Sequence, residues 1–203
     1  MENISEMLFE SYIRDFISWL PSSRIRKKKA DMRALLEQKR RILTAEEVAV
    51  CSAEVVEQIL ASEHYKHACH ILLYYPMRNE IDLRALLGKS GTEKHFYLPV
   101  THRHSIELRE YIGEEDLKKG RFGIPEPQTP TYKGKIDMML IPGGGFDKKM
   151  QRMGRGGGYY DKLLCQYRHT WKVGVGYAFQ LVEVLPHERH DKKMDVIITA
   201  KSK

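Results

Sequence analysis

The sequence predicts an α/β protein: a three-layer sandwich with a mostly parallel central sheet flanked by helices. Three observations predict it. Short apolar runs at residues 69–75, 136–141 and 173–177 alternate with segments of helical periodicity. Those runs are apolar at nearly every position, which suits strands covered on both faces. Glycine and proline punctuate the joins, and one glycine triple directly follows a strand-like run, as in layered α/β architectures.

The elements follow in order. Residues 5–20 place Met7, Leu8, Tyr12, Ile13, Phe16, Ile17 and Leu20 near a helical period, stopped by Pro21. Residues 24–41 predict a second helix marked by Leu35 and Leu36. Thr44 with Glu47 three residues on is a capping box, opening a third helix with Val48, Cys51, Val55 and Ile59 on one face. Residues 69–75 read as a buried strand ending at Pro76. Asp82 is expected to cap a short helix that ends near Gly88. Residues 95–100 and 105–111 read as strands. Residues 112–135, rich in glycine, proline and lysine, are expected to form a long functional surface loop. Residues 136–141 form a strand stopped by Pro142, residues 159–167 a helix, and residues 173–177 and 196–199 two further strands.

Composition excludes several classes. The 203 residues are 42% hydrophobic and 30% charged, which fits neither a disordered chain nor a membrane span. Three scattered cysteines, Cys51, Cys69 and Cys165, make neither a disulfide framework nor a zinc knuckle. Glu2, Glu6 and Glu10 interrupt any signal-peptide pattern, so a cytoplasmic location is expected. The net charge of +7 suggests a polyanion partner. However, residues 24–41 hold nine cationic side chains against Asp31 and Glu37, which accounts for the whole excess. Few aromatics interleave that run, so stacking on nucleic-acid bases has little to work with. Neither nucleic acid nor membrane is expected as a partner. Histidine clusters at His64, His67 and His70, at His102 and His104, and at His187 and His190 lack the carboxylates that would complete a metal site.

Chemistry concentrates in residues 142–161, PGGGFDKKMQRMGRGGGYYD, which hold seven of the chain's 15 glycines. Tight turns would explain some of them. A phosphate cradle explains more, because backbone N–H groups must approach the ligand closely and a helix is expected to start there. Arg152 and Arg155 flank the second cluster, where they would pair with phosphate oxygens. Asp161 is suited to a hard cation such as magnesium. The pattern matches neither a Walker A loop nor a dinucleotide turn.

The run from Arg152 to Asp161, RMGRGGGYYD, preceded by Pro142-Gly-Gly-Gly-Phe-Asp147, closely resembles the signature of the 5-formyltetrahydrofolate cyclo-ligase (methenyltetrahydrofolate synthetase) family. Lys29 with Arg33, Asn79-Glu80-Ile81-Asp82, Phe122-Gly-Ile-Pro-Glu-Pro127 and Lys193-Met-Asp195 resemble further family pieces in the family's order. The resemblance spans about residues 27–199. It implies a catalytic domain at residues 27–203; residues 1–26 have no counterpart in the family and are expected, from the periodicity of residues 5–20, to form a helical extension. It implies conversion of 5-formyltetrahydrofolate and ATP into 5,10-methenyltetrahydrofolate, ADP and phosphate, with Mg²⁺. By resemblance, ATP contacts fall on Lys29, Arg33, Arg152, Met153, Gly154, Arg155, Gly156, Gly157, Gly158, Tyr159 and Tyr160. Folate contacts fall on Tyr75, Met77, Glu80, Phe122 and Tyr159, and metal ligands on Asp161 and Asp195. Arg152 and Arg155 would stabilise charge, and no side-chain nucleophile is required. Some members carry lysine where this chain has Gly157. The implied partners are ATP and a reduced folate, with or without a polyglutamate tail that Lys118, Lys119 and Arg121 would meet. The expected assembly is a monomer or weak homodimer. A relative with the same fold and another substrate is the alternative, and Glu80 and Phe122 weigh against it.

Overall fold

Alternation of buried side chains along each strand builds the molecule from the sheet outward. In the computed structural model, residues 22–88, 93–103, 105–188 and 191–201 are described, and the helix expected at residues 5–20 lies outside them. Helix α1 (Ser22–Arg41) runs unbroken across residues 26 and 27. It buries Ile25, Lys29, Leu36 and Arg40, spaced so that all four share one face. Three basic residues in its last turn oppose the negative end of the helix dipole. Thr44 makes the expected capping box with Glu47, accepting from its N–H at 3.2 Å and donating its own to the carboxylate at 2.8 Å. Helix α2 (Ala45–Ala61) follows, then the short α3 (Glu63–His67), capped by Ser62.

Strands β1 (His70–Leu72), β2 (His95–Thr101) and β3 (Ile106–Glu110) come next, with α4 (Arg84–Leu87) between the first two. Beyond them lie β4 (Leu117–Lys119), β5 (Pro125–Pro127), β6 (Thr131–Tyr132) and β7 (Met138–Pro142). The chain closes with β8 (Gly145–Asp147), β9 (Arg152–Met153), α5 (Tyr159–Gln166), β10 (Trp171–Tyr177), β11 (Leu181–Val182) and β12 (Val196–Ala200). The main sheet has the order β12-β10-β7-β1-β2-β3-β6. Its strands from β12 to β2 pair in parallel, whereas β3 and β6 add antiparallel at one edge. Ile71, Phe96, Leu98, Met138, Leu140, Val173 and Val175 pack with α2 through Cys51, Val55 and Ile59. Leu72, Tyr97, Met139 and Ile141 point the other way, toward Leu163 and Leu164 of α5 and toward Phe146. Both faces are therefore covered, which is why these strands carry apolar residues at consecutive positions.

Three expectations need correction. The strand expected over residues 69–75 shortens to β1, because after the Leu73 N–H bonds to the Tyr97 carbonyl at 2.9 Å the chain leaves the sheet. Asp82 closes a turn ahead of α4, accepting the Arg84 N–H at 2.9 Å, while Leu83 holds the cap position without a side-chain bond. The loop expected at residues 112–135 contains an antiparallel ribbon, β4 with β5, and the edge strand β6.

Part of the glycine density belongs to packing. The ring of fully buried Phe146 fills the space a Cβ would take at Gly143 and Gly174, 2.6 and 2.5 Å from the nearest ring atoms, and Leu36 fills it at Gly145. Gly174→Ala is therefore expected to destabilise the fold by about 1–3 kcal/mol through overpacking. The check is a lower denaturant midpoint with an unchanged slope.

Candidate active site

The sheet turns back on itself at β1. From β1 the chain goes to β2 on one side, and from β7 on the other side it continues outward to β10 and β12. In open α/β sheets ligands bind at such a switch point, beyond the carboxyl ends of the strands. A cavity of about 360 Å³ opens there. Tyr74, Tyr75, Met77 and Glu80 from the segment after β1 form one wall, and Pro142 at the end of β7 forms its floor. Phe122, Ile124 and Glu126 come from the ribbon, and Arg152, Gly154, Arg155, Gly157, Gly158, Tyr159, Tyr160 and Asp161 from the glycine-rich segment.

The glycine-rich wall has a backbone that side chains rarely permit. Gly156 and Gly158 have φ of 103° and 66°, in the left-handed region. Gly158 caps α5 without a side-chain bond, so the first N–H groups of that helix face a turn with no capping side chain. Arg152 is 5% exposed. It donates to the Pro142 carbonyl at 3.2 Å and to Asp161 Oδ1 at 3.1 Å, and its guanidinium lies 5.5 Å from the centre of the Tyr160 ring.

Glu80 is the buried charge of the opposite wall, 6% exposed. Its Oε1 pairs with Arg155 and lies 3.6 Å from Arg40, and its Oε2 accepts the Met77 N–H at 2.8 Å. Burial lowers the Arg40 pKa from its ordinary value, the neighbouring Arg155 lowers it further, and Glu80 and Glu37 oppose both. Burial first, and Glu80 among the other causes, raises the Tyr74, Tyr160 and Tyr177 hydroxyls above the ordinary tyrosine value. They stay neutral at physiological pH. Tyr74 donates to the Ile81 carbonyl at 2.7 Å and Tyr177 to that of Asn79 at 3.1 Å. Asn79, with φ of 55°, donates to the carbonyls of Arg40 and Leu43 at 3.1 and 3.0 Å. It thereby satisfies the end of α1 and ties that helix to the Glu80 turn.

A second cavity of about 370 Å³ lies beside the first, lined by Arg33, Leu36, Glu37, Arg40, Gly144, Arg155 and Gln180, with Ala34 at its edge. The Nε atoms of Arg33, Arg40 and Arg152 are buried without an acceptor among the described residues. Three orphaned guanidinium donors around adjoining cavities suit an anionic ligand.

The structure gathers most, but not all, of the residues expected from sequence. Tyr75, Met77, Glu80, Phe122 and Tyr159 share the first cavity with Arg152, Gly154, Arg155, Gly157, Gly158, Tyr160 and Asp161. Arg33 lies in the second, and the Cβ position of Gly156 is 3.7 Å from its Nη1. Lys29 lines neither cavity. Its ammonium pairs with Glu188 at 3.2 Å and Asp191 at 2.5 Å. Met153 is buried with Leu36 and Leu185. Asp195 accepts from the Lys172 N–H at 2.7 Å at the amino end of β12, a strand length from the cavity (roughly 15 Å at ~3.3 Å per residue). The structure thus places Asp161 in the cavity and Asp195 outside its lining. Phe122 is 60% exposed, has φ of 62° and meets the Tyr159 ring edge-on with centroids 6.3 Å apart. A bulky residue in that backbone region is strained, which marks the mouth of the cavity.

Sequence reasoning missed Arg40, Tyr74, Glu126 and the capping role of Asn79. Arg40 had a signal: it falls on the buried face of α1 with Ile25, Lys29 and Leu36. Glu126 had none, because its 7% exposure and its bond to the Thr101 N–H at 3.0 Å come from ribbon pairing.

Among the described residues no three histidine, cysteine or acidic side chains gather to form a metal cage. Of the two metal ligands expected from sequence, Asp161 lines the cavity, with Oδ1 on Arg152, beside Glu80 and Glu126, which are engaged by Arg155 and by the Thr101 N–H. That donor set fits a cation held by one carboxylate together with ligand phosphates, the manner of magnesium.

An open, mostly parallel sheet that brings an aromatic wall and an arginine–glycine wall together at its switch point defines an α/β fold with the enzyme-like site such sheets carry. More particularly, the chain belongs to the 5-formyltetrahydrofolate cyclo-ligase family, whose model matches residues 25–200. It is 30% identical over 182 residues to the 5-formyltetrahydrofolate cyclo-ligase of Haemophilus influenzae, covering 84% of this chain and 97% of that protein. The NMR structure of Aquifex aeolicus 5,10-methenyltetrahydrofolate synthetase superposes with a TM-score of 0.78 at 34% identity, covering 85% of this chain and 90% of that one. A 5,10-methenyltetrahydrofolate synthetase from Mycoplasma pneumoniae superposes with a TM-score of 0.69 at 25% identity, covering 85% and 99%.

Proposed function

We propose that this chain converts 5-formyltetrahydrofolate and ATP into 5,10-methenyltetrahydrofolate, ADP and phosphate. The observation that carries the proposal is the shared cavity: the folate-side residues Tyr75, Glu80 and Phe122 and the phosphate-side residues Arg152, Arg155 and Gly158 line one space. An N-formyl oxygen is a poor leaving group. Transfer of the γ-phosphoryl group onto it, with release of ADP, makes it a good one. N10 then attacks the formyl carbon, the C–O bond breaks, and the N10 proton leaves with phosphate. Phosphoryl transfer asks mainly for positioning and charge neutralisation. Arg152, Arg155 and Arg33 supply positive charge, and Glu80 accepts from the N–H groups of the pterin. Tyr159 and Phe122 pack against its rings. Magnesium, when bound at Asp161, supplies further charge neutralisation on the phosphates.

The test is purified chain with 5-formyltetrahydrofolate, with and without ATP, followed by the near-ultraviolet absorbance of the methenyl product. ATP-dependent product supports the proposal, and no product in either arm overturns it.

The ribbon extends the reading to a folate's glutamate tail. Lys118 and Lys119 are exposed on β4 and the Arg121 guanidinium lies 5.1 Å from the Phe122 ring centre, at the cavity mouth. Exposed ion pairs contribute about 0.2–1 kcal/mol each. Lys118→Ala with Lys119→Ala is thus expected to reduce the preference for polyglutamylated over monoglutamylated substrate by about 1.4- to 5-fold per charge, with kcat unchanged. An unchanged KM ratio would remove the ribbon from tail binding.

A further inference from the structure

Arg155 belongs to both cavities. On the aromatic side its Nη2 donates to Glu80 Oε1 and its Nη1 lies 2.9 Å from Met77 Sδ. On the other side it lines the second cavity with Arg33 and Arg40. Two guanidiniums thus share one carboxylate oxygen, and they are held very differently. Arg40 is 4% exposed, pairs with Glu37 as well, and has its backbone carbonyl bound by Asn79. The Arg155 side chain is more than a third exposed and stands between Gly154 and Gly156. One partner of Glu80 is fixed and the other is free to leave.

We propose that Arg155 exchanges between Glu80 and a phosphate group in the second cavity, coupling the two ligands, while Arg40 is the positioning residue that keeps the Glu80 charge compensated. The coupling rests on the folate and ATP reading above. A ligand whose N–H groups bind Glu80 competes with Arg155 for Oε1. Once displaced, Arg155 turns toward Arg33 and Arg40. Three guanidiniums repel one another there without an anion, and a polyphosphate reverses the sign by engaging Arg155 and the Arg33 and Arg40 Nε donors, which have no acceptor among the described residues. Each ligand therefore favours the Arg155 position that the other needs. Linkage makes the effect equal in both directions.

Calorimetric titration of the full chain with the β,γ-imido analogue of ATP, with and without saturating 5-formyltetrahydrofolate, tests this without turnover. The nucleotide analogue is expected to bind about fivefold or more tightly with folate present, and folate to gain the same factor from the analogue. In Arg155→Met the factor should fall to one. In Glu80→Gln the analogue should bind more tightly than to the unaltered chain in the absence of folate, because a neutral amide holds Arg155 less strongly than a carboxylate. A site merely loosened by the change would bind it less well. Independent binding in the unaltered chain, coupling that survives in Arg155→Met, or weaker analogue binding to folded Glu80→Gln overturns the inference. If Glu80→Gln does not fold, the factor in Arg155→Met decides. Binding of both ligands without coupling removes only the exchange, whereas binding of neither removes the functional reading and the exchange together.

Discussion

Replacing Arg152 by methionine is expected to lower kcat by about 10²- to 10³-fold, the effect of removing one preorganised donor from a site where charge develops. The side chain is buried, so its charge acts with little screening by water, and its orientation is set before any ligand arrives. The Pro142 carbonyl holds Nη1, Asp161 holds Nη2, and Nε has no acceptor among the described residues. Methionine preserves much of the volume but leaves the Pro142 carbonyl and Asp161 without that partner. Asp161 is about a third exposed, so water recovers part of the loss and the expected destabilisation is about 1–3 kcal/mol. Single-turnover kinetics with a parallel denaturant titration separates the two effects. Arg152→Lys should restore charge but not the two-pronged geometry, and recover only part of the rate. A kcat within tenfold of the unaltered chain for Arg152→Met would remove this residue from the chemistry.

Glu80→Ala carries the larger stability effect. The carboxylate compensates Arg40, which is buried almost completely, and breaking a buried pair by deleting one partner destabilises by about 3–5 kcal/mol. Glu37 retains a contact with Arg40 and Arg155 reaches solvent, so the lower end of that range is expected. The folate KM should rise by about 10- to 100-fold, the worth of a buried hydrogen bond to a charged group. The double variant Glu80→Ala with Arg40→Met separates the roles. It should regain most of the stability, because no buried charge is left unpaired, and none of the folate affinity. Loss of both in equal measure would make Glu80 a structural residue only.

Much of this site was readable from local signals. The apolar runs, the Thr44 capping box and the glycine cluster each depend on residues near one another in sequence. Lys29 shows the limit of that reasoning. It shares a helix face with Arg33, but its ammonium is captured by Glu188 and Asp191, contacts that local spacing does not reveal. Asp195 shows the same limit: strand direction puts it at the amino end of β12, while the cavity opens at the carboxyl ends. The first glycine triple looked like ligand space and is in part packing space, because the Phe146 ring fills the Cβ position at Gly143 and Leu36 fills it at Gly145. Arg40 sat in a basic run whose charges looked solvated, and only the helix phase distinguishes it from its neighbours.

The ion pairs of Lys29 span 159 and 162 positions of the chain. During synthesis α1 therefore emerges about 160 residues ahead of the carboxylates that anchor it. Arg33 and Arg40, carried on that helix, must wait with it. A nascent chain stalled before Glu188 would hold the pterin side and the glycine turn but lack the clasp that seats the arginine-bearing helix. Seating of the arginine-bearing helix by these ion pairs thus follows, rather than accompanies, its own synthesis.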